Sequence, residues 1–377
     1  MTKARSASAR RAALSPAAFE GEASRRASPA FLATMPMGLD GVAADELQEK
    51  AADHVLEGRL STEIRFRHLG PVKDLLRLRS VNDVWLVVRE FGGVGPHYRD
   101  LRQLGEQLSR TDFSPALSIL KEGGHRLKPK MTFLPACSLR GERVYRRQDA
   151  LQSLEEAAAS ASGGSLRPTR SSPDLRLWLH IEGEAARLSL ALSPKTMGQR
   201  QRAASLPASL PGPIAYAMAA LTKPRAQQTF VDVTCGSGSI ALERAENWRY
   251  RLILAGDSDR AAVEATRANF GPRHRPREFL RWNAAALPLG EGSTDAMACN
   301  PPHGVQMKPE RGLEPLYRGI LSEARRVLRP FGLLTFLTPQ RALTDEILRD
   351  LKGMRIERCF VIDLLGQRPY LYVIRST

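Results

Sequence analysis

The stretch FVDVTCGSG at residues 230–238 decides the fold. An apolar run reaches Asp232, a turn containing Gly236 and Gly238 follows, and a helix-like segment begins near Ile240. Glycines in such a turn let backbone N–H groups approach a ligand closely at the N-terminus of a helix. A second apolar run, 252–255, ends in Gly256-Asp257, 19 positions beyond Gly238. A carboxylate at that strand end is placed to accept ribose hydroxyls. A dinucleotide-binding protein shares this outline, but Asp232 argues against it. A carboxylate just ahead of the glycines repels a pyrophosphate, whereas it suits a ligand carrying a cationic sulfonium and an amine.

Further along, the apolar run DAMAC (295–299) closes with Asn300-Pro301-Pro302-His303. Each proline fixes φ and removes a donor, so the loop is stiff, with the Asn300 side-chain oxygen and the backbone carbonyls pointing one way. It can accept both N–H bonds of the exocyclic amine of a nucleobase and turn the nitrogen lone pair toward an incoming methyl group. That is catalysis by orientation and electrostatics, without a covalent intermediate. The four residues also read as a plain proline turn after a strand, and the glycine turn upstream weighs for the first reading.

Taken in order, DVTCGSGS, GDSD, NAAALPL and NPPHG resemble the signature motifs of class I S-adenosylmethionine-dependent methyltransferases acting on amino groups of bases. The resemblance implies that Asp232, Gly236 and Gly238, with Cys235 among them, form the cofactor loop. It implies that Asp257 takes the ribose hydroxyls and that Asn283 and Ala284 face the adenine ring. The family usually has Asp where Asn283 stands, and the amide oxygen still accepts a bond. It usually has Tyr or Phe where His303 stands, stacked on the flipped target base, an interaction worth about 1–3 kcal/mol. His303 stacks over a smaller face; removal of the amine proton is the other role open to it. With His at this position the resemblance is closer to the tRNA guanine type than to the DNA adenine type, which makes Asn300, Pro301 and His303 the catalytic set.

Composition bounds the rest. A chain of 377 residues, 42% of them hydrophobic, has core material for two or three domains. A net charge of +16 and a pI near 10.2 call for an anionic partner, with nucleic acid the default and a membrane surface the alternative. No apolar run approaches the roughly 20 residues of a spanning helix. There is also no secretory apolar core near the start, so a cytoplasmic protein is expected. Cys137, Cys235, Cys299 and Cys359 form no Cys-x-x-Cys pair, so neither a metal site nor a disulfide framework is indicated. Cys235 and Cys299 read as small strand-end fillers. A cytosine-carbon methyltransferase needs a nucleophilic Cys after its proline, whereas Cys299 precedes Asn300.

Residues 1–29, rich in Ala, Ser and Arg, read as a disordered basic tail, a bias that also suits an organellar transit peptide. Strands at 31–34, 63–67 and 84–89 with helices at 38–50 and 72–78 make a small α+β unit over 30–92. In the next unit, 93–199, helical stretches flank Pro115 and a helix spans 149–161; 130–136 is strand-like, and 175–181 pairs with 186–192 across Gly183. The segments MTFLPACSLRGERVYRRQDALQSLEEAA (131–158) and SPDLRLWLHIEGEAARLSLALSP (172–194) resemble the THUMP module of RNA-modifying enzymes. FLATMPMGLDGVAADEL and RLRSVNDVWLVV, ahead of it, resemble the ferredoxin-like subdomain that precedes THUMP.

The order of modules resembles tRNA guanine-N2-methyltransferases acting near the acceptor stem, at position six. It implies that THUMP grips the tRNA 3′ end while a monomer reaches its target at a fixed distance. Lys128, Lys130, Arg140, Arg143, Arg146, Arg147, Lys195, Arg200 and Arg202 are the phosphate-binding candidates, each of which also reads as a solvated surface charge. Residues 200–213 read as a hinge into a catalytic domain, 200–377, that opens with a helix at 214–221. Strands at 230–233, 252–255, 296–299, 333–338, 359–364 and 370–375, alternating with helices, give a mostly parallel, doubly wound Rossmann-like α/β sheet. The rival readings are methylation of ribosomal RNA or of another tRNA guanosine, DNA adenine methylation, and an inactive RNA-binding protein.

Overall fold

A computed structural model of the chain describes residues 28–207, 209–303 and 312–377. All but the last two residues of the expected basic tail lie outside them. Eight strands build the N-terminal sheet: β1 (Ala30–Thr34), β2 (His54–Leu60), β3 (Glu63–His68), β4 (Asp83–Phe91), β5 (Met131–Arg140), β6 (Leu166–Pro168), β7 (Leu175–Glu182) and β8 (Ala185–Ala191). Their order is β2-β3-β1-β4-β8-β7-β5-β6, and the antiparallel β4–β8 pair carries the sheet from residues 30–92 into residues 93–199 without a break. The alternation in LRLWLHIE puts Leu175, Leu177, Leu179 and Ile181 on one buried face. Pro115 stands in the first turn of the helix Ser114–Glu122, where its missing N–H costs nothing.

The catalytic sheet holds β9 (Thr229–Asp232), β10 (Leu252–Asp257), β11 (Arg277–Arg281), β12 (Thr294–Cys299), β13 (Leu328–Thr338), β14 (Met354–Val361) and β15 (Tyr370–Ser376). Its order is β11-β10-β9-β12-β13-β15-β14, with only β15 antiparallel to its neighbours. This is a doubly wound Rossmann-like sheet. Central strands are buried on both faces: Phe230, Ile253 and Ala298 pack with the helices Gly212–Ala220 and Ser239–Asn247, whereas Val231, Met297 and Leu334 pack with the helices Leu313–Val327 and Arg341–Asp350. Three strands were not anticipated, β2, β6 and β11. β14 ends at Val361, where the sequence suggests a strand over 359–364.

The first of these two cores is continuous with that of the N-terminal sheet, so Leu39, Leu86 and Leu179 belong to the same buried cluster as Tyr216, Phe230 and Leu371. A polar hub secures the junction. Glu243, its side chain 3% exposed, accepts from Arg79 of the N-terminal body (2.9 Å) and from Arg200 (2.6 Å). The segment expected to be a hinge is a strap. Ala204 exchanges two 2.9 Å hydrogen bonds with the Asn269 side chain, and Arg202 donates to Ser237 Oγ inside the glycine turn.

Candidate active site at the carboxyl ends of the catalytic strands

The winding direction of the sheet reverses between β9 and β12, and open α/β sheets form clefts at such switch points. Asp232 is in register with Ala255 of β10 and Ala298 of β12, so Asp232, Asp257 and Asn300 stand at one edge. The two glycines of the turn serve different ends. Gly236 has φ +52°, and a side chain there would meet nothing within 4 Å, which leaves an open cradle above the backbone. At Gly238, φ +80°, a side chain would come within 2.9 Å of Thr266; this glycine lets two helices approach.

Asp257 Oδ2 accepts the Gly236 N–H at 3.0 Å and Oδ1 accepts the Asp259 N–H at 3.1 Å. The carboxylate fixes the turn and keeps a further lone pair on each oxygen. Asp232 is fully buried; Oδ2 accepts the Ala241 N–H at 3.1 Å, and among the described residues Oδ1 has no hydrogen-bond partner. Burial pushes its carboxyl up to about 7, the Ala241 N–H opposes this, the charge of Asp257 adds to it, and the Thr234 backbone near the carboxylate opposes it more weakly.

Cys235 contributes backbone only. Its thiol is buried, accepts from Thr266 Oγ1 at 3.4 Å and is pushed well above the usual range by desolvation. Cys299 is equally buried, beside Thr234. Asn283 is exposed and turns its Oδ1 to the Ala285 N–H at 3.0 Å, and Ala284 beneath is buried. Between them and the glycine turn lies Trp282, missed in the sequence. Its Nε1–H donates to the Val233 carbonyl at 2.9 Å, and it fits only because Gly256 has no side chain, which would stand 2.4 Å from the ring.

Asn300 Oδ1 and His303 Nε2 are buried without partners among the described residues. Desolvation is the main influence on His303 and pulls its pKa below the ordinary 6.5, with partial opposition from the Leu337 backbone. Two further residues hold the loop. The Tyr317 hydroxyl donates to the Pro302 carbonyl at 3.1 Å and accepts from Thr338 Oγ1 at 3.0 Å, which in turn accepts the Gln340 N–H at 2.9 Å. In the sequence Tyr317 is one more apolar-face residue of an amphipathic helix, so nothing marks it.

Nine buried side-chain polar atoms lack partners among the described residues, and three of them, on Asp232, Asn300 and His303, border this one edge. Leaving such an atom unsatisfied costs about 1–3 kcal/mol, a cost that a polar ligand removes. The arrangement is compatible with a nucleoside-bearing cation: an open backbone cradle at Gly236, a carboxylate at Asp257 with a further lone pair on each oxygen, and a buried carboxylate at Asp232 whose ionised form a cation would stabilise. Asn300 supplies a bare acceptor for a neutral amine.

The phosphate-binding candidates divide. Lys130, Arg146, Arg147 and Lys195 are exposed; Lys128 pairs with Asp174 (2.7 Å) and Arg140 with Glu182 (3.8 Å). Arg143, Arg200 and Arg202 are half-buried and tied to their own chain. Arg143 bonds Val94, Gly95, Gly183 and Tyr145, Arg200 bonds Glu243, Met197 and Arg79, and Arg202 bonds Ser237 and Leu210. Arginines engaged in this way have fewer donors free for phosphate than the exposed candidates.

Residues 199–362 match the RMKL-like methyltransferase domain. A tRNA (guanine(6)-N2)-methyltransferase of Thermus thermophilus is 29% identical over 238 residues, 63% of this chain and 70% of that protein. A bovine tRNA (guanine(6)-N(2))-methyltransferase is 28% identical over 54% of this chain, which spans only 43% of the bovine protein. A mouse U6 snRNA (guanine-N(2))-methyltransferase is 28% identical over 46% of this chain and 33% of its own length. Among solved structures, TrmN from Thermus thermophilus superposes over 93% of this chain and 100% of its own, with a TM-score of 0.79 and 24% identity. Among the described residues, no helix is long and apolar enough to cross a membrane. Over residues 199–362 the chain therefore matches the RMKL-like methyltransferase domain, and the methyltransferases it resembles imply S-adenosylmethionine as the methyl donor.

Proposed function

We propose that this protein is a tRNA guanine-N2-methyltransferase whose target is a guanosine extruded from the acceptor stem at position six. The observation that carries the reading is the buried Oδ1 of Asn300, without a partner among the described residues, on a proline-stiffened loop at the same edge as Gly236 and Asp257. An acceptor held bare in this way suits an exocyclic N–H donor. Asn300 Oδ1 and the Pro301 carbonyl accept the two N–H bonds of the amine, and its lone pair is left facing the cofactor cradle. S-adenosylmethionine supplies the methyl group from a sulfonium centre. As the N–C bond forms, the methyl–sulfur bond would break and leave a neutral thioether, and the alkylated ammonium would lose its proton readily to water. His303, half-buried, stacks on the extruded base.

Residues 93–199 act in this reading as a THUMP module for the tRNA 3′ end, with exposed Lys130, Arg146, Arg147 and Lys195 as its phosphate contacts. The names of the Thermus and bovine relatives support tRNA and position six. The mouse snRNA relative favours a second substrate reading, a guanosine in another structured RNA. The test is to incubate the protein with methyl-labelled donor and RNA transcripts, digest to nucleosides and identify the product by mass spectrometry. N2-methylguanosine from tRNA, lost when guanosine six is replaced, is expected. Label in U6 snRNA or ribosomal RNA but not in tRNA would move the substrate; no label in any RNA would refute the reading.

A further inference from the structure

The hairpin joining β14 to β15 turns at Leu365-Gly366, with Leu364 and Gln367 exchanging backbone hydrogen bonds of 2.9 and 3.0 Å. Both turn residues have positive φ, +52° and +81°. A two-residue turn of this kind is ordinarily Asn-Gly or Asp-Gly, because a branched apolar side chain is strained in the left-handed region. Leu365 receives no burial in return. At 89% it is the most exposed large hydrophobic residue among the described ones. A residue that breaks the turn rule without gaining a contact is a candidate for function.

Its position supports this. Tyr370, just past the turn, is in register with Thr338 at the carboxyl end of β13, and β13 flanks the β12 strand that delivers Asn300. The base of the hairpin is locked to the N-terminal body: the Asp363 N–H donates to the Met37 carbonyl at 3.3 Å, and the bare Gly38 makes room for the Val361 carbonyl. The tip is thus held out on the active-site edge, with exposed Gln367 and Arg368 beside it.

We propose that Leu365 is an RNA wedge that enters the base stack next to the target guanosine and holds it open during extrusion; this rests on the RNA methyltransferase reading above. Extrusion from a stem leaves a gap between base steps, and inserted Leu, Phe or Met side chains are how proteins stabilise unstacked duplexes. Arg368 is placed to meet the adjacent phosphates.

The experiment compares wild-type protein with Leu365→Asn, which suits the turn and should melt no lower than wild type. Each is assayed on two RNAs, one with the target guanosine paired in its stem and one with it opposite an abasic site. The expected result is a fall of about tenfold or more in kcat/KM on the paired RNA, with the abasic RNA methylated within about twofold of wild type. Equal rates for both proteins on the paired RNA would overturn the wedge while leaving the methyltransferase reading intact. An equal loss on both RNAs would also overturn it, since Leu365 would then be an ordinary binding contact. Wild-type protein inactive on both RNAs would bring down the methyltransferase reading and the wedge together.

Discussion

Replacing Tyr317 with Phe tests whether a chain of hydrogen bonds sets the geometry of the amine-holding loop. Tyr317 is fully buried, meets Phe336 edge-on at 5.2 Å between ring centroids, and spends its hydroxyl on the Pro302 carbonyl and Thr338 Oγ1. Phe fills the same space, so packing is preserved and only the hydroxyl is lost. Two hydrogen bonds at about 0.5–1.5 kcal/mol each give a stability loss of about 1–3 kcal/mol. If that energy also holds Asn300 and Pro301 in the reactive alignment, kcat falls about 10- to 100-fold, since about 1.4 kcal/mol is a factor of ten. Single-turnover methyl transfer under saturating donor reads the rate, calorimetric titration reads donor affinity, and urea unfolding reads stability. Donor affinity should stay within about twofold, because the chain reaches no cofactor-loop residue. A loss of stability of the expected size with kcat unchanged would refute the reasoning and leave Tyr317 as a prop for the fold.

Asn300→Ala should abolish methyl transfer while donor affinity measured by calorimetry stays near wild type, and Asp257→Ala should weaken donor binding first; an equal loss of affinity in both would undo the division of roles. Asp232 gives a pH signature opposite to that of most carboxylates. Its folded pKa of about 7 lies above the unfolded value of about 3.9, so its contribution to stability is complete below that lower value and is lost as pH rises through 7. Urea unfolding across this window should show the decline in the donor-free protein, and Asp232→Asn should flatten it; an unchanged slope would show that another group titrates. Glu243→Ala leaves Arg200 and Arg79 without their shared carboxylate at a buried junction and should cost about 3 kcal/mol of stability. A cost below about 1 kcal/mol would show that the apolar core alone holds the junction.

The catalytic sheet was legible because its central strands are short apolar runs closing on Asp232, Asp257 and Asn300, residues that mark strand ends by their chemistry. Edge strands gave no such signal. REFLR in β11 and HVLEGRL in β2 face water along most of their length, so their patterns resemble loops. β14 was placed late because the apolar run CFVIDLL straddles the end of the strand and the turn, while the strand itself begins in the charged MRIER. The same limit applies to side chains. Arg143 and Arg200 have the same composition signature as surface arginines, and only three-dimensional contacts with Gly183 or Glu243 show them to be struts. Tyr317, Thr338 and Trp282 act through partners 15 to 49 positions away, a separation that no local pattern encodes.

The single apolar core shared by the N-terminal body and one face of the catalytic sheet turns the molecule into a caliper without a joint. Under the proposed function, an RNA anchored on the first sheet would be presented to Asn300 at one separation and one angle, because the described residues of the junction form one core and one polar hub. Choice of nucleotide would then follow from length along the RNA rather than from the bases near the target. A stem lengthened by one base pair should then shift the methylated position by one, whatever the sequence there.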